Sequence, residues 1–121
     1  MATATGHTEA IQASRVIGTD VYNTEGRHIG TIEDVMLDKI SNSIMFAVIG
    51  FGGFLGIGEK YHAIPWSALD YEVTRGGYVV PFTKEQLEAA PVHDISDLTG
   101  GDGKKVRDDS YSYYKVPPYW I

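Results

Sequence analysis

Residues 28–51 read HIGTIEDVMLDKISNSIMFAVIGF, and how this stretch pairs decides the fold. Its first part, HIGTIEDVMLD (His28–Asp38), has the composition of a long strand, but its alternation slips. Ile32 and Val35 are both natural core residues, yet an odd number of positions separates them, and a period of two sends them to opposite faces. A bulge near Glu33–Asp34 returns both to the inside, and bulges are common where barrel strands bend. KISNS (39–43) reads as a turn. IMFAVIGF (Ile44–Phe51) is apolar on both faces, so it is a central strand or one covered on its outer side.

Outward from this pair, short apolar runs are punctuated by turn residues about every eight to twelve positions, which indicates an all-β sandwich or barrel. RVIG (15–18) and DVYN (20–23) supply a first strand pair, and NTEG (23–26) is a turn in which Gly26 suits positive φ. KYHAIPW (60–66) is a further strand, with Pro65 at an edge or bulge, and SAL (67–69) suits one helical turn. DYEVT (70–74) and YVVPF (78–82) flank Arg75–Gly76–Gly77 as a hairpin. Thr83 and Gln86 form a capping box that opens a short helix through roughly Ala90, ended by Pro91. The pattern predicts a small closed β-barrel of about six strands with one short helix. Residues 1–12 are expected to be disordered, residues 13–99 form the domain, and residues 100–121 are a glycine-rich linker (GGDGKK, 100–105) and an aromatic tail.

The bulk numbers bound the function. A chain of 121 residues, 43% hydrophobic, is one domain with a real core. The absence of cysteine rules out disulfides, thiol nucleophiles and thiolate metal sites. No secretory signal is expected in the first twenty residues, and no run reaches the roughly 18 apolar residues of a membrane span, so a cytoplasmic protein is expected. A net charge of −6 argues against nucleic acid as the main partner. Residues 104–121 carry a formal +2 (Lys104, Lys105, Arg107 and Lys115 against Asp108 and Asp109), leaving −8 on residues 1–103. The basic tail could fold back on that acidic body or reach a neighbour's.

GFLGIGEK (53–60) nearly has the spacing of a phosphate-binding loop, but Glu59 stands where the lysine belongs and Tyr61 replaces the hydroxyl residue. A carboxylate there repels phosphate, and a strand follows instead of a helix. It reads as a barrel connection. Phe51, Phe54, Leu55 and Ile57 would then form an apolar tip, which either caps the open end of the barrel or meets another chain. His7, His28, His62 and His93 have no metal-ligand spacing. Glu33, Asp34 and Asp38 could cluster for acid–base work, or be solvated charge plus a turn-capping aspartate. No metal, cofactor or small-molecule ligand is expected. Tyr111, Tyr113, Tyr114, Tyr119 and Trp120 are interface-type residues. They either cover the outer face of the Ile44–Phe51 strand or cross to a second subunit.

GTDVYNTEGRHIGTIEDVMLD, a turn, a hydrophobic strand, GGFLGIGEKYHAIPWSAL and a closing hairpin together resemble the PRC-barrel domain family, over roughly Ser14–Leu87. The most specific parts are the Gly26, Gly30 and Asp34 segment and GGFLGIGEK with IPW. The family includes the cytoplasmic domain of the photosynthetic reaction centre H subunit, the C-terminal domain of a ribosome maturation factor, and stand-alone bacterial and archaeal proteins, whose type this chain resembles. The resemblance implies assembly roles and no catalysis. The expectation is a non-catalytic interaction or assembly module that binds itself, as a dimer in the simplest case, or another protein. It would use Phe51, Phe54, Leu55, Ile57, Tyr113, Tyr114, Tyr119 and Trp120. The alternatives are an accessory factor of ribosome maturation or of a photosynthetic or membrane complex, and a small-molecule binder or enzyme with an acidic site near Asp34.

Overall fold

A computed structural model describes residues 10–51, 61–93 and 95–120. The turn α1 (Ala13–Val16) leads into β1 (Asp20–Asn23), β2 (His28–Leu37), β3 (Ile44–Gly50) and β4 (Tyr61–Pro65). A 3-10 turn at Trp66–Ala68 follows, then β5 (Asp70–Glu72), β6 (Gly77–Val80), α2 (Lys84–Ala89), α3 (Ile95–Thr99) and α4 (Lys104–Tyr114). The six strands form one mixed sheet in the order β4-β3-β2-β1-β6-β5. The β1–β6 pair is parallel and the other four are antiparallel.

The bulge in β2 follows from where its aliphatic residues must go. Ile32 pairs with Ile49 and Asp34 with Val48, so Glu33 is the extra residue, and Val35 then faces Ala47. The shift puts Ile32 and Val35 against the same core as Ala47 and Ile49. β3 is both central and covered. Ala47, Ile49 and Phe51 enter one core with Val21, Ile29, Ile64 and Leu87. Phe46 and Val48, on the opposite face, enter a second with Met45, Ala63 and Leu98. The Asn23–Gly26 turn forms with Gly26 at φ 83°, where only glycine is unstrained. At α2, Thr83 and Gln86 exchange the two capping bonds, at 3.0 and 2.8 Å.

Three expectations are corrected. The sheet is not a closed barrel: β4 and β5 are its two edges. β5 is only three residues long, and the free edge of β4 is occupied at Tyr61, which exchanges two 2.9 Å backbone bonds with His93. RVIG is not a strand, because Ala13–Val16 form α1 and Val16 turns into the main core. β2 is met only from the last residue of RVIG, where the Gly18 N–H donates to the Ile32 carbonyl at 2.7 Å and the Thr19 carbonyl accepts from the Ile32 N–H at 2.9 Å. There is more helix than one short element, and α3 and α4 both follow the sheet. The expected disorder of the N-terminus lies, for residues 1–9, outside the described residues.

Candidate functional site

The C-terminal arm, α4 and the residues after it, builds the most elaborate side-chain constellation among the described residues. Its buried positions are Arg107, Ser110, Tyr111 and Tyr114, a spacing of three, one and three that lines up one helical face. That stripe is polar and aromatic, with no aliphatic residue in it. Each member therefore needs a specific partner when buried. The Ser110 hydroxyl donates to the Ala63 carbonyl at 2.7 Å, and the Tyr111 hydroxyl donates to the Met45 carbonyl at 2.7 Å. Both acceptors belong to the sheet, so the arm is registered on the backbone of β3 and β4.

Beyond the helix, Tyr119 and Trp120 close over the same face. The Tyr119 hydroxyl donates to Asp38 Oδ2 at 2.8 Å, and the Arg107 guanidinium lies 3.8 Å from that same oxygen. Arg107 also stacks on Trp120, 3.8 Å from the ring centroid, and its Nε donates to Asp108 at 3.1 Å. Tyr111, Tyr119 and Trp120 meet edge to face, with centroids 4.8–6.0 Å apart. Asp38 is buried, and its carboxyl is held down to about 2, chiefly by the Tyr119 hydroxyl and then by the Ile40 N–H. It also accepts from Ser41 N–H, so one carboxylate both caps the β2–β3 turn and anchors the arm.

Of the expected interaction residues, the structure brings Tyr119 and Trp120 together with Arg107 and Asp38. Tyr114, one turn further along the same helical face, reaches the main core and stacks on Phe82 with centroids 4.3 Å apart, and its buried hydroxyl has no partner among the described residues. The Tyr113 hydroxyl donates to the Gln86 carbonyl on α2. Phe51 is corrected from an exposed tip to a core residue: it is 2% exposed and packs edge to face on His62, with centroids 4.9 Å apart. Its position directly after β3 continues the inward alternation of Ala47 and Ile49. Phe54, Leu55 and Ile57 lie outside the described residues. Asp34 is half-buried, and its carboxylate accepts from the next backbone N–H, of Val35, at 2.8 Å. The buried carboxylate is Asp38 instead.

Sequence reasoning missed Arg107 and Ser110 as site residues, and it named Asp38 only as a member of an acidic cluster or a turn-capping aspartate, the second of which the turn bonds show. The 107, 110, 111, 114 spacing was the available signal for the first two. Among the described residues, no group of three or more His, Asp or Glu could hold a metal ion, and no helix is long and apolar enough to cross a membrane. An open groove of about 300 Å³ runs beside β5, lined by Thr24, Asp70, Tyr71, Glu72, Val79 and Pro81, and Glu72 there is paired with Arg75 at 3.3 Å.

No curated protein matches the chain. Residues 8–87 match the family model of the PRC-barrel domain. All six strands lie inside the match, while α3, α4 and the aromatic residues after it lie beyond it. The chain belongs to the PRC-barrel domain family.

Proposed function

We propose that this protein is a non-catalytic interaction and assembly module that self-associates. The observation that carries the reading is an aromatic arm, from outside the matched domain, lying on an apolar sheet face of that domain. Phe46 and Val48 are fully buried there, beneath a cover drawn from α3, α4 and Tyr119. The cover includes Leu98, Val106 and Tyr119, and beside it the arm carries Tyr111, Trp120 and Arg107, side chains of the types enriched at the centres of protein interfaces. Its anchoring bonds end on backbone carbonyls and one buried carboxylate, which gives the contact a fixed register of the kind that recognition requires.

Further apolar side chains remain in solvent, among them Ile40 at 89% and Leu37 at 62% exposure, at the β2–β3 end of the sheet. Light scattering of the full chain across a wide concentration range tests the reading. A mass of twice 13.3 kDa or more is expected. A monomer at every concentration overturns it.

A further inference from the structure

The contact between arm and sheet has the features of one that can be made between chains as well as within one. We infer that two copies of this chain exchange their C-terminal arms, each α4 with its Tyr119 and Trp120 seating on the β3–β4 face of the other copy. The inference rests on the self-association proposed above and names the surface and partner it uses.

Four observations carry it. The face beneath the arm belongs to the matched domain, and the arm does not. The arm follows a hinge of Gly100, Gly101, Asp102 and Gly103, three glycines in four residues. Gly103 sits at φ 77° as the residue before α4, with no side-chain cap of its own, so the chain's direction changes at the point where an exchange would require it to change. The long-range anchors from Ser110 to Ala63, Tyr111 to Met45, Tyr119 to Asp38 and Arg107 to Asp38 are side-chain contacts across that hinge. They are made equally well by an identical arm from a second copy. Finally, the arm carries +2 and the remainder of the chain −8, so arm and foreign body attract as arm and own body do.

Because the contacts are the same in both arrangements, they cancel when the two are compared. What separates them is the conformation of the hinge and the chain concentration. Shortening the hinge by removing Gly101 and Asp102 should therefore prevent the arm from reaching its own sheet while leaving the foreign one within reach.

The chain has no cysteine, which allows a clean test. One full-length variant carries Ala63→Cys and another Ser110→Cys, placed where the Ser110 hydroxyl meets the Ala63 carbonyl at 2.7 Å. The two are unfolded together, refolded as an equimolar mixture, treated with a short dithiol-reactive cross-linker and run on a denaturing gel beside a single chain carrying both substitutions. Exchange predicts a covalent species of doubled mass in the mixture, drawn from the about one half of dimers that contain both variants. It also predicts doubled mass for the chain carrying both cysteines.

If light scattering shows a dimer but the doubly substituted chain links only within itself, the arms stay at home; arm exchange is then wrong and self-association stands. If light scattering shows only monomer, both fall. The hinge deletion gives a readout free of cross-linking geometry. It should be wholly dimeric with α4 protected from hydrogen exchange, and a monomer with an unprotected arm overturns the exchange.

Discussion

His62 is the buried group with the most to lose. It is fully buried on β4 and packs edge to face with Phe51, and neither ring nitrogen has a hydrogen-bond partner among the described residues. Burial, assisted by the nearby His93, lowers its proton affinity from 6.5 to about 4. Between those two values the unfolded chain holds a proton that the folded chain does not. Stability is therefore complete above about pH 6.5 and declines as pH falls toward 4, by about 3 kcal/mol at one pKa unit per 1.36 kcal/mol. At neutral pH the cost is of another kind: two buried polar atoms without partners are worth about 1–3 kcal/mol of lost hydration.

His62→Met separates these terms. Methionine is close to histidine in volume, adapts its shape and has no strong polar atom to satisfy. At pH 7 the variant should be more stable than the parent by about 1 kcal/mol, and its stability should be flat over the window in which the parent loses its own. Urea midpoints from pH 7.5 to 4 measure both. His28 and His93 are present in both proteins, so the difference between the two curves belongs to His62. Parallel curves, or a variant less stable than the parent by 2 kcal/mol or more at pH 7, would refute the reasoning, the second because it would mean that the imidazole has a partner.

Other consequences can be checked in the same way. Asp38, held well below its ordinary 3.8, adds stability that is present above about pH 4 and lost as pH falls toward 2. Tyr119→Phe removes the chief cause, so the carboxyl should titrate at higher pH in a carbon-13 NMR titration and acid unfolding should begin earlier; an unmoved Asp38 contradicts the assignment. Lys115 ends α4 at φ 58°, a left-handed position that strains a side chain. Lys115→Gly should raise stability by about 0.5–1 kcal/mol in thermal melts. A Cβ on Gly30 would sit 2.3 Å from the Gly50 carbonyl, where backbone cannot yield, so Gly30→Ala should cost at least about 3 kcal/mol in urea or prevent folding. A Gly30→Ala protein as stable as the parent would contradict this close approach of β2 to β3.

What was legible in the sequence was whatever local chemistry determines. The β2 bulge could be placed because Ile32 and Val35 are both aliphatic and only one register buries both. The α2 start could be placed because Thr83 and Gln86 satisfy each other's backbone. Sheet closure could not, since it depends on whether β4 meets β5, and on a parallel β1–β6 pair whose partners are about 57 residues apart. Phe51 read as part of a glycine-rich tip because its neighbours are glycines, whereas the strand alternation carries it inward. α4 escaped because its buried stripe is Arg, Ser, Tyr and Tyr, residues that hydropathy counts as surface.

That polar stripe bears on how the arm works. An arm held by leucines would be insoluble when released and would gain most of its binding from burial alone. Here the binding comes from aromatic area, two bonds to strand carbonyls and the Arg107–Asp38–Tyr119 group. Replacing a buried ion pair with hydrophobic residues of similar volume is often neutral or stabilising, so the Arg107–Asp38 contact is weak evidence for strength. It is better evidence for register. Asp38 is fixed by the turn it caps, Arg107 is held between that carboxylate and the Trp120 ring, and an arm shifted by one residue would lose the Arg107 and Tyr119 contacts to Asp38 together. In the proposed exchange the contact would therefore reject wrong arms more effectively than it would strengthen the right one, and would leave an arm polar enough to exist unbound. Selectivity for an identical arm, with tolerance of its release, is what reversible assembly from copies of one chain demands.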